Sequence, residues 1–456
     1  MWGPVRIPRL RRSRFAVSAR RTPFQRVRPT GARIRSGIPL RTCCHVQPYS
    51  LLEIMMKSRL DAAEMPAAVV VGGQLGGLGL VRSLGNQGIP VIVAETKRAA
   101  AALWSRHARR HVIRGFVGRD FIDDMIALAR SLGHRPVLYL TDEDAVHSVS
   151  EAREELARWY RFRLPSAQGV RMLSSKAAFH RFAQDHGFPV PRTVILNGQF
   201  DVPLLSSLRF PCVIKPDDKR QALSGDKERA IRVESLAEAQ EHARAMLRTP
   251  GGIVAQEWID GPQSNIYFTL FYRGKDGKAA AVFTGRKLAC WPPDIGSTAV
   301  CVGAPEAHAE LERITLDFAS AAGFDGMGSM EYKWDDKHRR FVMIEPTVGR
   351  IDWQEEIATL CGVNIPLAAH RHELELPDLP CAPVRSDTVW RATIIRGAPA
   401  GLMPPGAQTF DGYLRWDDPL PALHHYCLNP PLERLRQRWN GWFPSNRREQ
   451  VQQEQQ

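Results

Sequence analysis

Eight cysteines in 456 residues are too few for a disulfide scaffold, and none forms a Cys-x-x-Cys pair. That excludes a small disulfide-held fold and a zinc site, and leaves the thiols as small apolar side chains in a reducing, cytoplasmic setting. Long apolar runs are missing as well. No stretch approaches the ~18 consecutive apolar residues of a spanning helix, and the uncharged run Met65 to Val81 is too rich in glycine to be one. A protein embedded in a membrane is therefore not expected. Acidic residues are absent from residues 1–52, which carry twelve arginines and no lysine.

That segment accounts for most of the formal net charge of +14, since without it 50 of the 62 basic side chains face 48 acidic ones. The body of the chain is nearly neutral, so a basic groove for a phosphate backbone has no compositional support and no nucleic-acid partner is expected. For residues 1–64 three readings stay open. They are a transit segment, a basic arm for nucleic acid or anionic lipid, or a disordered tail that arises from the choice of start site, because Met55, Met56 and Met65 precede the first folded element.

Order begins at Ala67. Ala67 to Val71 is a short β-branched run, followed by the glycine-rich stretch Gly72 to Gly79 and a helical pattern through Leu80, Leu84 and Gly88. Pro90 to Glu95 reads as a second strand, Asp120 to Leu132 as a helix and Pro136 to Leu140 as a third strand. This rhythm predicts a parallel sheet with helices on its faces. The glycines invite a dinucleotide reading, but Gly-x-Gly-x-x-Gly fails at Arg82 in one register and at Gln74 in the other. Tight turning and close packing are the simpler use for them, although Glu95 stands where a ribose-binding acid would. Thr141-Asp142-Glu143 follows the third strand, both as a helix cap and at the carboxyl end where open α/β sheets bind ligands.

The chain then changes character. Ser174-Ser175-Lys176 opens an amphipathic helix, and strands follow at 210–216, 230–233 and 253–259, with a helix from Leu236 to Leu247. Lys215 ends an apolar strand, where a buried ammonium needs an anion. A polar loop with Ser224-Gly225 comes next, and the two together suit a phosphate. Glu331 and Glu345 close two strands joined through Asp335 and Asp336, so a hairpin would set their carboxylates side by side. Such a pair needs a cation between them or a proton on one, and magnesium, with its oxygen ligands, fits.

A lysine on a helix, a lysine ending a strand, Gln-Glu-x-Ile-x-Gly from Gln256, Gly-Arg-Lys from Gly285 and then two strand-ending glutamates make an order that resembles the ATP-grasp superfamily of carboxylate–amine ligases, and within it the members similar to D-aspartate ligase and to the carbamoyl-phosphate synthase large subunit. The similarity runs from about Ala67 to about His370. It implies an α/β and α+β protein: a Rossmann-like parallel-sheet domain at 65–170, a two-lobed ATP-grasp domain at 171–260 and 261–376, and a C-terminal extension from 377 to 456 with no assigned chemistry. It further implies that Lys176 and Lys215 contact ATP phosphates under a loop carrying Ser224 and Gly225. Gln256, Glu257, Trp258 and Ile259 would form the adenine hinge, and Gln263 would stand where a ribose-binding acid usually sits. Arg286 would steady the phosphoryl group and Arg350 the substrate carboxylate. Glu331, Glu345 and Thr347, the last in place of the usual asparagine, would ligate magnesium. The expected activity is ATP- and Mg2+-dependent joining of a small-molecule carboxylate to an amine. The rival readings are a nicotinamide-dependent oxidoreductase and a nucleotide-binding regulatory protein without turnover. Nothing in the sequence sets an oligomeric state.

Overall fold

Four apolar residues in a row form the central strand of the first sheet because both of its faces are covered. In the computed structural model, which describes residues 65–218, 230–350, 352–380, 382–393 and 403–429, β1 (Ala68–Val71) is buried throughout. Val69 and Val71 enter one core and Ala68 and Val70 another, which is why the run is continuous rather than alternating. It pairs in parallel with β2 (Val91–Glu95) and β4 (Val137–Leu140), and β3 (Ala108–Val112) completes the order β3-β2-β1-β4. β3 was not expected. It is an edge strand with charged, largely exposed residues, so it carries no apolar signature. The segment 1–64, Ser224, Gly225 and residues 430–456 lie outside the described residues.

The second sheet is small and antiparallel: β5 (Thr193–Leu196), β6 (Cys212–Pro216), β7 (Ile231–Val233) and β8 (Ile253–Glu257), in the order β5-β8-β6-β7. The helix Leu236–Met246 packs on it through Ala239 and Ala243. The third sheet has seven strands. These are β9 (Ile266–Arg273), β10 (Ala279–Trp291), β11 (Ser297–Gly303), β12 (Gly326–Asp335), β13 (Arg340–Val348), β14 (Thr388–Arg391) and β15 (Gln408–Asp411). Their order is β13-β12-β9-β10-β11-β14-β15. Strand alternation divides β9 between two cores, Tyr267 and Phe271 on one face and Phe268, Leu270 and Tyr272 on the other. The stretch beyond 377 thus supplies two strands of the large sheet. They are four residues each, too short for a period to show. Among the described residues no helix is long and apolar enough to cross a membrane.

The C-terminal residues also meet the first domain. Arg82, on the helix Leu75–Gly85, is buried and donates to Asp418 (3.0 Å) and to the carbonyls of Gly412 (2.8 Å) and Tyr413 (2.7 Å). Glu356 lies 3.6 Å from Arg82 and 2.8 Å from the buried Arg415. Removing Arg82 would leave the buried Asp418 without its cation, a loss of about 3–5 kcal/mol by comparison with other buried pairs, while Glu356 would keep Arg415. The glycines of this helix let the segment from Trp353 to Glu356 come close. A Cβ on Gly76 would lie 3.3 Å from the Trp353 backbone, and one on Gly79 would lie 2.9 Å from the Glu355 carboxylate.

Glu355 is fully buried, with hydroxyl donors from Ser83 (3.3 Å) and Thr359 (3.2 Å). Burial, reinforced by the neighbouring Glu356 charge, pushes its carboxyl from 4.5 up to about 8. Between those two values the unfolded chain releases a proton that the folded chain keeps, so stability falls as pH rises through that window. Glu355→Gln has no proton to lose. Urea unfolding at pH 5 and pH 8 should show the variant gaining stability relative to the parent at the higher pH; an identical pH slope in both proteins would contradict the assignment.

Candidate active site

Two adjoining cavities lie where the three sheets meet, one of about 490 Å³ and one of about 110 Å³, with Lys215, Ala230, Ile295, Gly296 and Glu331 in the walls of both. Lys176 and Lys215 come to the larger one from different elements. Asp217 holds them together. It follows Lys215 by two residues, accepts from the Ala177 amide (2.7 Å) and from Ser175 Oγ (3.0 Å), and so ties the end of β6 to the first turn of the helix Lys176–Asp185. Ser175 caps that helix through the Ala178 amide (3.1 Å).

Glu331 and Glu345 are direct cross-strand partners on β12 and β13. Both face the larger cavity, as does Thr347, two residues beyond Glu345. The Thr347 hydroxyl donates to Asp352 (2.9 Å), which also accepts from Ser329 (2.8 Å). Among the described residues no cluster of three or more His, Cys, Asp or Glu side chains is arranged to hold a metal. Two adjacent carboxylates and a hydroxyl facing a roomy cavity nevertheless fit a cation that completes its shell with phosphate and water oxygens.

The hinge residues line the smaller cavity: Gln256 at the end of β8, Glu257, Trp258 and Ile259. The Gln256 amide is engaged away from it, with His180 and with Thr193 Oγ1 (3.3 Å). Burial, aided by the Lys215 charge, pushes His180 down to about 3, so it is a neutral support. The Glu257 carboxylate accepts from the Arg209 amide (3.0 Å).

Two expected residues are placed differently. Gln263 is absent from both cavity linings; its Oε1 accepts from the Cys290 amide (2.6 Å), and its Nε2 reaches Asp294 (3.4 Å). It anchors the β10–β11 loop, whose Asp294, Ile295 and Gly296 wall the smaller cavity. Arg286 pairs with Tyr267 across β9 and β10, and it approaches Glu306 (3.7 Å). It is therefore on the face of the sheet opposite Glu331. The side chain that alternation turns to Glu331 is its neighbour Lys287, which forms an ion pair with it. Burial works against the Lys287 ammonium, but the Glu331 carboxylate more than offsets this and holds the amine above the ordinary lysine range.

Arg350 does line the larger cavity, paired with Glu143 (3.4 Å) at the end of the first domain's sheet. Thr141 and Asp142 join it there, and Asp142 also caps its helix through the Asp144 (2.9 Å) and Ala145 (3.2 Å) amides. The tripeptide thus caps a helix and lines the cavity. Asp352, Trp353 and Gln354 also line this cavity and carry no sequence motif, and so does Lys287, the last residue of Gly-Arg-Lys, to which the resemblance gives no role. Glu95, the would-be ribose acid, is buried and consumed by the amides of Gly73 (2.6 Å), Thr96 (2.8 Å) and Lys97 (3.0 Å). A nicotinamide cofactor loses its main support.

No model of a known protein family matches the chain. It is similar to the D-aspartate ligase of Enterococcus faecium (strain Aus0004), with 21% identity over 319 residues covering 65% of this chain and 74% of that one. Among solved structures it resembles N5-carboxyaminoimidazole synthetase from Staphylococcus aureus complexed with ADP, with TM-score 0.54, 12% identity and coverage of 70% and 80%. Biotin carboxylase from Campylobacter jejuni, in a complex with a β-γ-ATP ligand, gives TM-score 0.55, 16% identity and coverage of 72% and 75%.

Proposed function

We propose that this chain, which has the ATP-grasp fold, is an ATP- and magnesium-dependent ligase that activates a small-molecule carboxylate and joins it to an amine. The observation that carries the reading is the in-register pair Glu331 and Glu345 in one cavity with Lys176, Lys215 and Arg350, next to the hinge-lined cavity. Adenine would lie along Gln256 to Ile259 and the phosphates between Lys176 and Lys215. Glu331, Glu345 and Thr347 would hold magnesium, which supplies positive charge to the phosphate oxygens.

Arg350 would hold the substrate carboxylate near the γ-phosphate. A carboxylate oxygen then attacks phosphorus, and the bond to the β-phosphate oxygen breaks with its electron pair leaving on ADP. The amine nitrogen next attacks the acyl carbon. The bond to the phosphate oxygen breaks, inorganic phosphate leaves, and the nitrogen loses a proton. The chain's part is positioning and charge neutralisation, with no covalent enzyme intermediate. Asp142 and Glu143, which line the cavity with Lys176 and Arg350, add carboxylates suited to a substrate bearing an amine. The five described cysteines are all free thiols, which agrees with a cytoplasmic setting.

Nucleotide choice tests this reading. ATP with magnesium should raise the melting temperature, since a ligand at 100 times its Kd contributes about 2.7 kcal/mol, whereas NAD should not. Glu331→Gln and Glu345→Gln should each lower ADP formation by orders of magnitude while the folded state persists. Protection by NAD equal to that by ATP, or full turnover in both variants, would overturn it.

A further inference from the structure

Lys287 is a buried charge for which the motif reading has no use. Its position follows from the sheet. Gly285, two residues earlier on β10, pairs with Phe268 of β9, and a Cβ there would come within 2.3 Å of the Phe268 ring. Phe268 in turn pairs with Glu331 on β12. The missing side chain at 285 leaves room for the end of that ring, and Lys287 reaches across β9 to the Glu331 carboxylate. It is 4% exposed, and it lines the same cavity as Lys176 and Lys215. Glu331 therefore has one carboxylate neighbour in register, Glu345, and one ammonium neighbour.

This arrangement poses a problem of charge. Two carboxylates and one ammonium leave a single excess negative charge, which a divalent cation would more than neutralise. Once Glu331 is taken up by such a cation, the buried ammonium loses its partner and needs another anion. The anion that arrives with the cation is the phosphate chain. A lysine is a compact point charge on a flexible stem, able to change partners where an arginine fork would hold its carboxylate in two bonds.

We propose that Lys287 is the resident counter-cation of the paired carboxylates: its ammonium neutralises Glu331 until magnesium nucleotide binds, then moves to the terminal phosphoryl oxygens. It would thereby do the work that the motif assigns to Arg286. This rests on the ligase reading given above, and it adds a residue and a switch of partners to it.

The test uses the full chain and needs no identified substrate. Melting temperatures are measured with magnesium alone, and calorimetry compares ADP with a non-hydrolysable ATP analogue, both with magnesium. Magnesium alone should leave the parent protein unmoved, because Glu331 already has its cation. Lys287→Met should melt lower, and magnesium alone should recover much of the loss. The variant should also bind the ATP analogue about tenfold more weakly, the worth of one charge-assisted hydrogen bond, while its affinity for ADP changes little. A variant in which magnesium alone acts as it does on the parent, or in which both nucleotides weaken equally, would make Lys287 a structural cation and overturn the assignment. Should Lys287→Met not fold, Lys287→Arg decides. Its fork should grip Glu331 and raise the magnesium concentration needed for nucleotide binding several-fold, and an unchanged requirement overturns the proposal. A parent protein that binds neither nucleotide overturns the ligase reading itself, whatever the variants do.

Discussion

Two carboxylates set side by side on neighbouring strands repel unless a cation stands with them, and the site is arranged around that constraint. The register of β12 and β13 places Glu331 against Glu345. The next strands of the sheet bring Lys287 over to Glu331, and the small sheet contributes Lys215 from the facing side. A buried charge is costly unless paired, and the buried Lys287 has its partner in Glu331. Three ammonium groups thereby face one cavity, Lys287 buried and Lys176 and Lys215 half-buried.

The far wall of the cavity is built by different means. Asp352, Trp353 and Gln354 lead directly into Glu355 and Glu356, which pack on the glycine face of the helix Leu75–Gly85. Arg82 and Arg415 complete the seam with Glu356, and Arg82 joins Asp418. The first domain and the C-terminal residues therefore meet on the segment that follows Arg350. The glycines that invite a dinucleotide reading serve this close approach instead, and Arg82, which breaks the dinucleotide pattern, is the side chain that holds the seam.

Much of this was legible beforehand. Strands buried on both faces, such as Ala68–Val71, announce themselves as unbroken apolar runs, and the order of lysines and strand-ending glutamates pointed to the fold and to a shared cavity. What escaped did so for physical reasons. The edge strand Ala108–Val112 has little to bury. β14 and β15 are too short to show a period and owe their place to pairing with β11 and with each other. Arg286 and Lys287 are adjacent, and which of them faces the carboxylates depends on strand register, a one-residue question that composition does not answer. Gln263 matched the position of a ribose ligand in the motif, yet its amide is used to hold a loop.

The central claim is that the cavity activates a carboxylate by phosphorylating it. The most direct measurement incubates the full chain with ATP, magnesium, hydroxylamine and, in turn, each of a panel of amino acids and other carboxylates. Hydroxylamine captures an acyl phosphate as the hydroxamate, displacing phosphate. The account predicts that at least one carboxylate yields ADP and hydroxamate in equal amounts, and that omitting the carboxylate abolishes both. A chain that binds ATP but forms neither product with any carboxylate would contradict it.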